Sequence, residues 1–198
     1  MPELLLASSN SGKIGEYRFL LDGLGYQITT LAEQGITEAV TESGKSYEEN
    51  ARLKAVTYAR LSHLTTLADD SGLEVDALNG EPGVKSARFA GEAATDAERV
   101  SFLLAKLKRI PQEKRTARFK CVIAIATPGG QSELCYGECQ GMIALEAKGK
   151  KGFGYDPIFY LPEIGKTMAE LPLETKNQIS HRARASLQAR QVLQRLHI

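Results

Sequence analysis

Short apolar runs separated by small polar residues dominate this chain, and their periods distinguish strands from helices. Leu4-Leu5-Leu6-Ala7 is an apolar run of strand length, the pattern of a strand buried on both faces. It opens into Ser8-Ser9-Asn10-Ser11-Gly12-Lys13, after which helical spacing from Ile14 to Leu24 stops at Gly25. Residues 26–40 alternate weakly, predicting a second strand and a surface loop. Ser46-Tyr47-Glu48-Glu49 has the form of a capping box. The helix it opens runs to about Ser62, packed through Ala51, Ala55, Val56 and Ala59. Leu64 to Asp70 reads as the next strand. Leu73 to Ala77 alternates as a half-buried strand toward the Asn79-Gly80 turn, and residues 83–91 read as loop. Thr95-Asp96-Ala97-Glu98 is a second capping box, and Val100, Leu103, Leu104 and Leu107 give its helix an apolar stripe before Pro111. Residues 115–127 and 132–143 are long strand-like runs joined through Pro128-Gly129-Gly130, the pattern of an antiparallel hairpin. A terminal helix after His181-Arg182 turns Leu187, Val192, Leu193 and Leu196 inward.

Buried strand runs, alternating strands and intervening helices predict an α/β fold with a mixed sheet. At 198 residues and 42% hydrophobic, the chain can form one well-buried domain over 1–198, or two lobes sharing a sheet with no separate linker. The 25 basic and 24 acidic side chains leave a formal charge of +1. That balance opposes nucleic acid or an anionic membrane as a bulk electrostatic partner, so any phosphate binding depends on local Lys and Arg. No apolar run approaches the ~20 residues that span a bilayer. The N-terminus lacks a basic n-region and a cleavage-like site, so no secretory signal is expected. Cys121, Cys135 and Cys139 are odd in number and form no Cys-x-x-Cys pair, which predicts reduced structural thiols in a cytoplasmic protein.

Chemistry concentrates at Asp69-Asp70-Ser71-Gly72, where an apolar run ends in two carboxylates. Acids at a strand end can hold a divalent cation at the rim of an α/β sheet. The same four residues are also good turn formers, since Asp and Ser bond the local backbone and Gly accepts positive φ. Ser8 to Lys13 places small residues and a lysine between a strand and a helix start, an arrangement that suits phosphate. It equally suits an N-cap cluster with a solvent-facing lysine. It is not a Walker A loop, because Ala7 and Ile14 stand where glycine and a hydroxyl residue belong. Glu42 lies in the turn Thr41–Lys45, while Asn50 and Lys54 share a helix face. Gly149 to Pro157 combines three glycines with Phe153, a flat apolar face, and Asp156, an acceptor.

In order, Ser8-x-Asn10-x-x-Lys13, Glu42-x-Gly44, Glu49-Asn50 with Lys54, Ala68-Asp69-Asp70-Ser71-Gly72, Pro82-Gly83 with Ser86-Ala87-Arg88, Gly152-Phe153-Gly154-Tyr155-Asp156-Pro157 and Lys176-x-x-Ile179-Ser180-His181-Arg182 resemble one family. It is the inosine/xanthosine triphosphate pyrophosphatase family, in its bacterial branch, and the resemblance covers residues 4 to 196. The resemblance implies an elongated mixed sheet flanked by helices, in two lobes with the active-site cleft between them. It implies Mg²⁺-dependent hydrolysis of ITP, dITP and XTP to monophosphate and pyrophosphate, cleansing the nucleotide pool. It assigns Asp70 as general base and metal ligand, Asp69 as its support and Glu42 as the second metal-associated acid. Ser8, Ser9, Asn10, Ser11, Gly12 and Lys13 would cradle phosphate, with Lys54 assisting and Ser71 touching the substrate. Phe153, Gly154, Tyr155, Asp156, Lys176, His181 and Arg182 would form the pocket for base and sugar. A homodimer is also implied.

Two other protein classes share part of this pattern. A Maf-type nucleotide pyrophosphatase also begins with a strand and an Ala-Ser loop, but carries paired arginines where this chain has Gly12-Lys13 and lacks the Ser-His-Arg block. A nucleotide sensor that cleaves nothing has little use for Glu42, Asp69 and Asp70 beside a phosphate.

Overall fold

The computed structural model describes residues 1–196. Its strands are β1 (Glu3–Leu6), β2 (Gln27–Thr30), β3 (Thr65–Val75), β4 (Thr116–Ala126), β5 (Ser132–Ile143), β6 (Phe159–Leu161) and β7 (Lys166–Thr167). Among the described residues they form a seven-stranded sheet in the order β2-β1-β3-β4-β5-β6-β7. β1 pairs in parallel with β2 and β3, Leu6 facing Thr30 and Leu67, while β5–β6 and β6–β7 are antiparallel. The sheet is therefore mixed and the fold α/β, as the pattern predicts. Flanking helices are α1 (Ser11–Leu20), α2 (Tyr47–Ser62), α3 (Asp96–Lys106), α4 (Leu173–Ile179) and α5 (His181–Leu196).

The helix starts follow from their caps. Asn10 accepts the Lys13 N–H at 3.0 Å, so α1 begins at Ser11, ahead of the expected Ile14, and ends at Leu20. Ser46 caps α2 by accepting the Glu49 N–H, but the Glu49 carboxylate takes the N–H of Lys45 instead of closing the box. Thr95 and Glu98 form the complete reciprocal box expected of α3. Residues 83–88, expected as loop, form a 3₁₀ turn.

Two expectations fail. Asp69-Asp70-Ser71-Gly72 is not a turn: β3 runs unbroken through it to Val75. Turn chemistry matters when Asp side chains have only local backbone to bond. Here both carboxylates find distant partners, and Gly72 is not among the positive-φ residues. In α5, Leu187 is 65% exposed and Leu196 41%, whereas Ala185, Ala189, Val192 and Leu193 are buried. The true inward stripe follows i, i+4, i+7, i+8 from an alanine, so small residues set it and the leucine at 187 falls outside.

The chain divides into two compact units. The first comprises Met1–Asp70, Cys121–Gly137 and Arg182–Ile198. Its core sets Leu4, Leu6, Leu67, Ile123 and Ile125 against Tyr17 of α1, Leu21 at its C-cap, and Ala185, Ala189 and Leu193 of α5. The second comprises Ser71–Lys120 and Glu138–His181, with Leu73, Val75, Leu103, Leu107, Ile143 and Phe159 at its centre. Here the buried Arg115 guanidinium collects the carbonyls of Leu107, Ile110 and Ala144, satisfying the end of α3 and the following loop. Cys121, Cys135 and Cys139 are buried.

Candidate active site

In the first unit, the strand period sends neighbouring acids to opposite faces of β3. Asp69 shares a face with Leu67, whose packing partners lie on α1 and α5. Its Oδ1 accepts Lys13 Nζ at 3.0 Å, and Oδ2 lies 3.4 Å from Arg182 Nη2. Arg182 Nη1 donates to Glu16 Oε2 at 2.6 Å, so one fully buried guanidinium joins two carboxylates. Burial alone would raise the Asp69 carboxyl, but Lys13, Arg182 and Lys54 overcome it and hold it well below the usual carboxylate range. The Cys121 thiol lies 3.8 Å from Asp69 Oδ2 and is pushed up to about 12, first by burial and then by that carboxylate. It is a neutral filler here, not a nucleophile.

Asp70, on the other face, accepts the side-chain N–H of Asn50 at 3.0 Å. Asn50 is itself fully buried and accepts the Gly44 N–H at 2.8 Å. One amide thus ties the Glu42–Gly44 loop to the acid strand. A Cβ at Gly44 would lie 2.6 Å from Asn50 Oδ1, so a glycine is needed for that approach. Lys54, one turn after Asn50, reaches Glu42 Oε1 at 2.5 Å and the Asp69 carbonyl at 2.7 Å. Burial and the nearby Glu42 raise the Asp70 carboxyl against the lowering effect of Lys54 and Asn50. Lys54 is raised in turn: burial lowers it, but Asp69, Asp70 and Glu42 together prevail. Two mutually repelling carboxylates with hard oxygen donors suit a divalent cation, which would relieve that repulsion.

In the second unit, Phe153, Asp156 and Lys176 form a compact set. Lys176 Nζ bonds Asp156 Oδ2 at 2.5 Å and stands 4.7 Å from the centre of the Phe153 ring. The same carboxylate oxygen accepts the Phe153 N–H at 3.0 Å. Gly152 has φ +72°, and a Cβ there would overlap the Asp156 carboxylate and lie 3.2 Å from Lys176 Nζ. Its glycine is therefore required twice over, by backbone and by space. The His181 ring stacks on Phe119 with centroids 4.7 Å apart.

The first unit thus gathers Lys13, Glu42, Lys54, Asp69, Asp70 and Arg182, and the second gathers Phe153, Asp156 and Lys176. Ser9, Asn10 and Ser11 are exposed at the start of α1, where Ser8 Oγ accepts the Asn10 N–H. Ser71 opens the second unit, and Gly154 and Tyr155 are anchored to residues beyond their loop. Arg182 lies in the first unit, held by the carboxylates of Glu16 and Asp69. Sequence reasoning missed Glu16, whose signal was its position three residues after Lys13 on one helix. It also missed Asp96, read there only as part of a cap.

Fold and site define a mixed-sheet α/β protein whose paired strand acids are set among lysines. The chain belongs to the Ham1 family, whose model matches residues 4–192. A dITP/XTP pyrophosphatase of Desulforamulus reducens is 51% identical over 99% of this chain and 98% of its own. One from Bacillus subtilis is 46% identical over 93% of each. The solved structure of a HAM1 protein from Coxiella burnetii superposes with a TM-score of 0.89 at 44% identity, covering 98% of this chain and 100% of that one.

Proposed function

We propose that this protein hydrolyses deaminated purine nucleoside triphosphates, ITP, dITP and XTP, to monophosphate and pyrophosphate. The observation that carries the proposal is Asp70: a buried carboxylate fixed by Asn50 beside Glu42 and Lys54, in a chain similar to named dITP/XTP pyrophosphatases. Lys13, Lys54 and the first-turn amides of α1 offset the charge of the triphosphate. Asp70 orients and deprotonates the attacking water, helped by its raised carboxyl. Asp69 supports this chemistry by fixing Lys13 and Arg182. Glu42 and Asp70 would hold Mg²⁺, which supplies charge neutralisation at the phosphates when bound.

The base stacks on Phe153, contact that tolerates any purine. Lys176 and His181 provide donors toward the 6-oxo group, with Gly154, Tyr155 and Asp156 around base and sugar and Ser71 touching the substrate. A 6-amino group would meet those donors with another donor, and donors left unpaired in a buried site can reject a substrate by about 10⁴-fold. Buried thiols suit a reducing cytoplasm, and we place the enzyme there as a homodimer. Among the described residues no helix is long and apolar enough to cross a membrane.

The test is to offer ITP, XTP, dITP, GTP and ATP with Mg²⁺ or with EDTA and to identify products. Pyrophosphate and monophosphate from the first three, lost in EDTA, are expected. Orthophosphate and diphosphate would overturn the reading.

A further inference from the structure

The loop Gly152–Asp156 is fastened from outside itself at Gly154. The Gly154 N–H donates to Asp96 Oδ2 at 2.7 Å, although 58 residues separate them. Asp96 is the first residue of α3, and its other oxygen accepts Arg99 Nη2 at 2.5 Å. Arg99 Nη1 in turn bonds the carbonyls of Ala87 and Ala94, at 2.8 and 2.5 Å. Next in the loop, the Tyr155 hydroxyl donates to the carbonyl of Ser86 at 2.9 Å. Ser86 is locked by its own hydroxyl, which accepts the Leu73 N–H and donates to the Gly83 carbonyl. Loop, 3₁₀ turn and α3 are thus joined through the Tyr155 hydroxyl and through Ser86, Asp96 and Arg99, three side chains that the proposed chemistry does not use.

Gly154 stands at φ +62°, yet nothing lies within 4 Å of where its Cβ would be. Glycine is needed there for its backbone conformation alone, and that conformation directs its N–H at Asp96. An acid in the first turn of a helix commonly needs no other reason than the helix dipole. Asp96 exceeds that role, because one oxygen reaches outside the helix and the other is held in place by Arg99.

We propose that Asp96 is a positioning residue for the base: its carboxylate holds the left-handed turn at Gly154 and so sets the attitude of the neighbouring Phe153 ring. This rests on the reading that Phe153 stacks on the base. Disturbing the clamp weakens base binding in ground and transition states alike, so it raises KM and spares kcat. The phosphate end of the substrate relies on Lys13 and Lys54 and is unaffected.

Steady-state kinetics with ITP and Mg²⁺ test this, with product inhibition by pyrophosphate as the readout for the phosphate end. Losing a charge-assisted hydrogen bond on a half-exposed carboxylate should raise KM about five- to tenfold in Asp96→Ala. The value of kcat and the inhibition constant of pyrophosphate should stay within about twofold. Asp96→Asn keeps an oxygen acceptor for Gly154 and should restore KM. Thr95→Ala, which uncaps the same helix without touching the loop, should lower Tm and leave KM alone. Gly154→Ala disturbs the turn independently of α3 and should reproduce the split if Asp96→Ala fails to fold. Phe153→Ala separates the two ideas. If it raises KM while Asp96→Ala and Gly154→Ala do not, the clamp is overturned and the stacking reading stands. If Phe153→Ala leaves KM unchanged, the stacking reading falls and the clamp with it. An equal rise in the pyrophosphate constant would also overturn the clamp.

Discussion

Replacing Asp69 by asparagine keeps the side-chain shape and removes one charge. In the native protein that charge faces Lys13 at 3.0 Å and Arg182 at 3.4 Å, with side-chain exposures of 1% for Asp69, 16% for Lys13 and 2% for Arg182. Removing one partner of a buried ion pair costs about 3–5 kcal/mol, because the other is left charged in a poor solvent. Arg182 keeps Glu16 at 2.6 Å and Lys13 is partly solvated, so the lower end applies, about 3 kcal/mol. For a chain of this size each kcal/mol moves Tm by about 2–4 °C, giving a fall of roughly 6–12 °C. The pH dependence has a definite sign. A carboxyl held below its unfolded value stabilises fully above that value, near ~3.9, and ceases to as pH falls through the folded one. Thermal melts of both proteins followed by circular dichroism should therefore show a constant gap from about pH 8 to 5 that narrows below about pH 4. A gap under about 2 °C at neutral pH, or one that widens in acid, would refute the reasoning.

Asp70→Asn should lower kcat by about 10²–10⁴-fold while ITP binding stays measurable by calorimetry. Because the Asp70 carboxyl is raised in the fold, its ionised form is destabilising at neutral pH, and the same variant should melt slightly higher; wild-type turnover would remove Asp70 from the mechanism. Lys13→Ala should weaken triphosphate binding more than monophosphate binding, and equal losses in a titration would count against a phosphate role. Gly152→Ala forces a Cβ onto the Asp156 carboxylate at positive φ and should cost roughly 1–3 kcal/mol of stability while raising KM for ITP; unchanged urea midpoint and KM would contradict the packing.

Elements with local causes were legible in the amino-acid pattern. The Thr95–Glu98 box needs only its own four residues, and the Pro128-Gly129-Gly130 break separates β4 from β5 without outside help. Asp69 to Gly72 misled because propensity describes a segment whose side chains have no other partners, and Lys13, Arg182 and Asn50 lie far away in sequence. Leu187 misled for a related reason: hydrophobicity marks a residue as able to be buried, whereas the alanines at 185 and 189 set how α5 faces its neighbours. At the site, residues that touch substrate in the proposed mechanism carried a family signature. Asn50 and Ser86, which hold them in place, carried it too, but Glu16 and Asp96 are common residue types whose meaning lies in distance, and distance is not written in one dimension.

The two acids on β3 also make the protein sensitive to parity. Their roles differ only because one occupies an odd place in the strand and its neighbour an even one. A residue inserted or deleted between Thr65 and Asp69 would turn each carboxylate to the opposite face, setting one acid in its neighbour's place and carrying the other one residue beyond the pair. Such a lesion would keep every functional residue and lose the function. Length changes in the 31–37 loop carry no such penalty, so tolerance to insertion should fall abruptly at the start of β3 and recover beyond Val75. Strand length there is as much a part of the inherited chemistry as the carboxylates themselves.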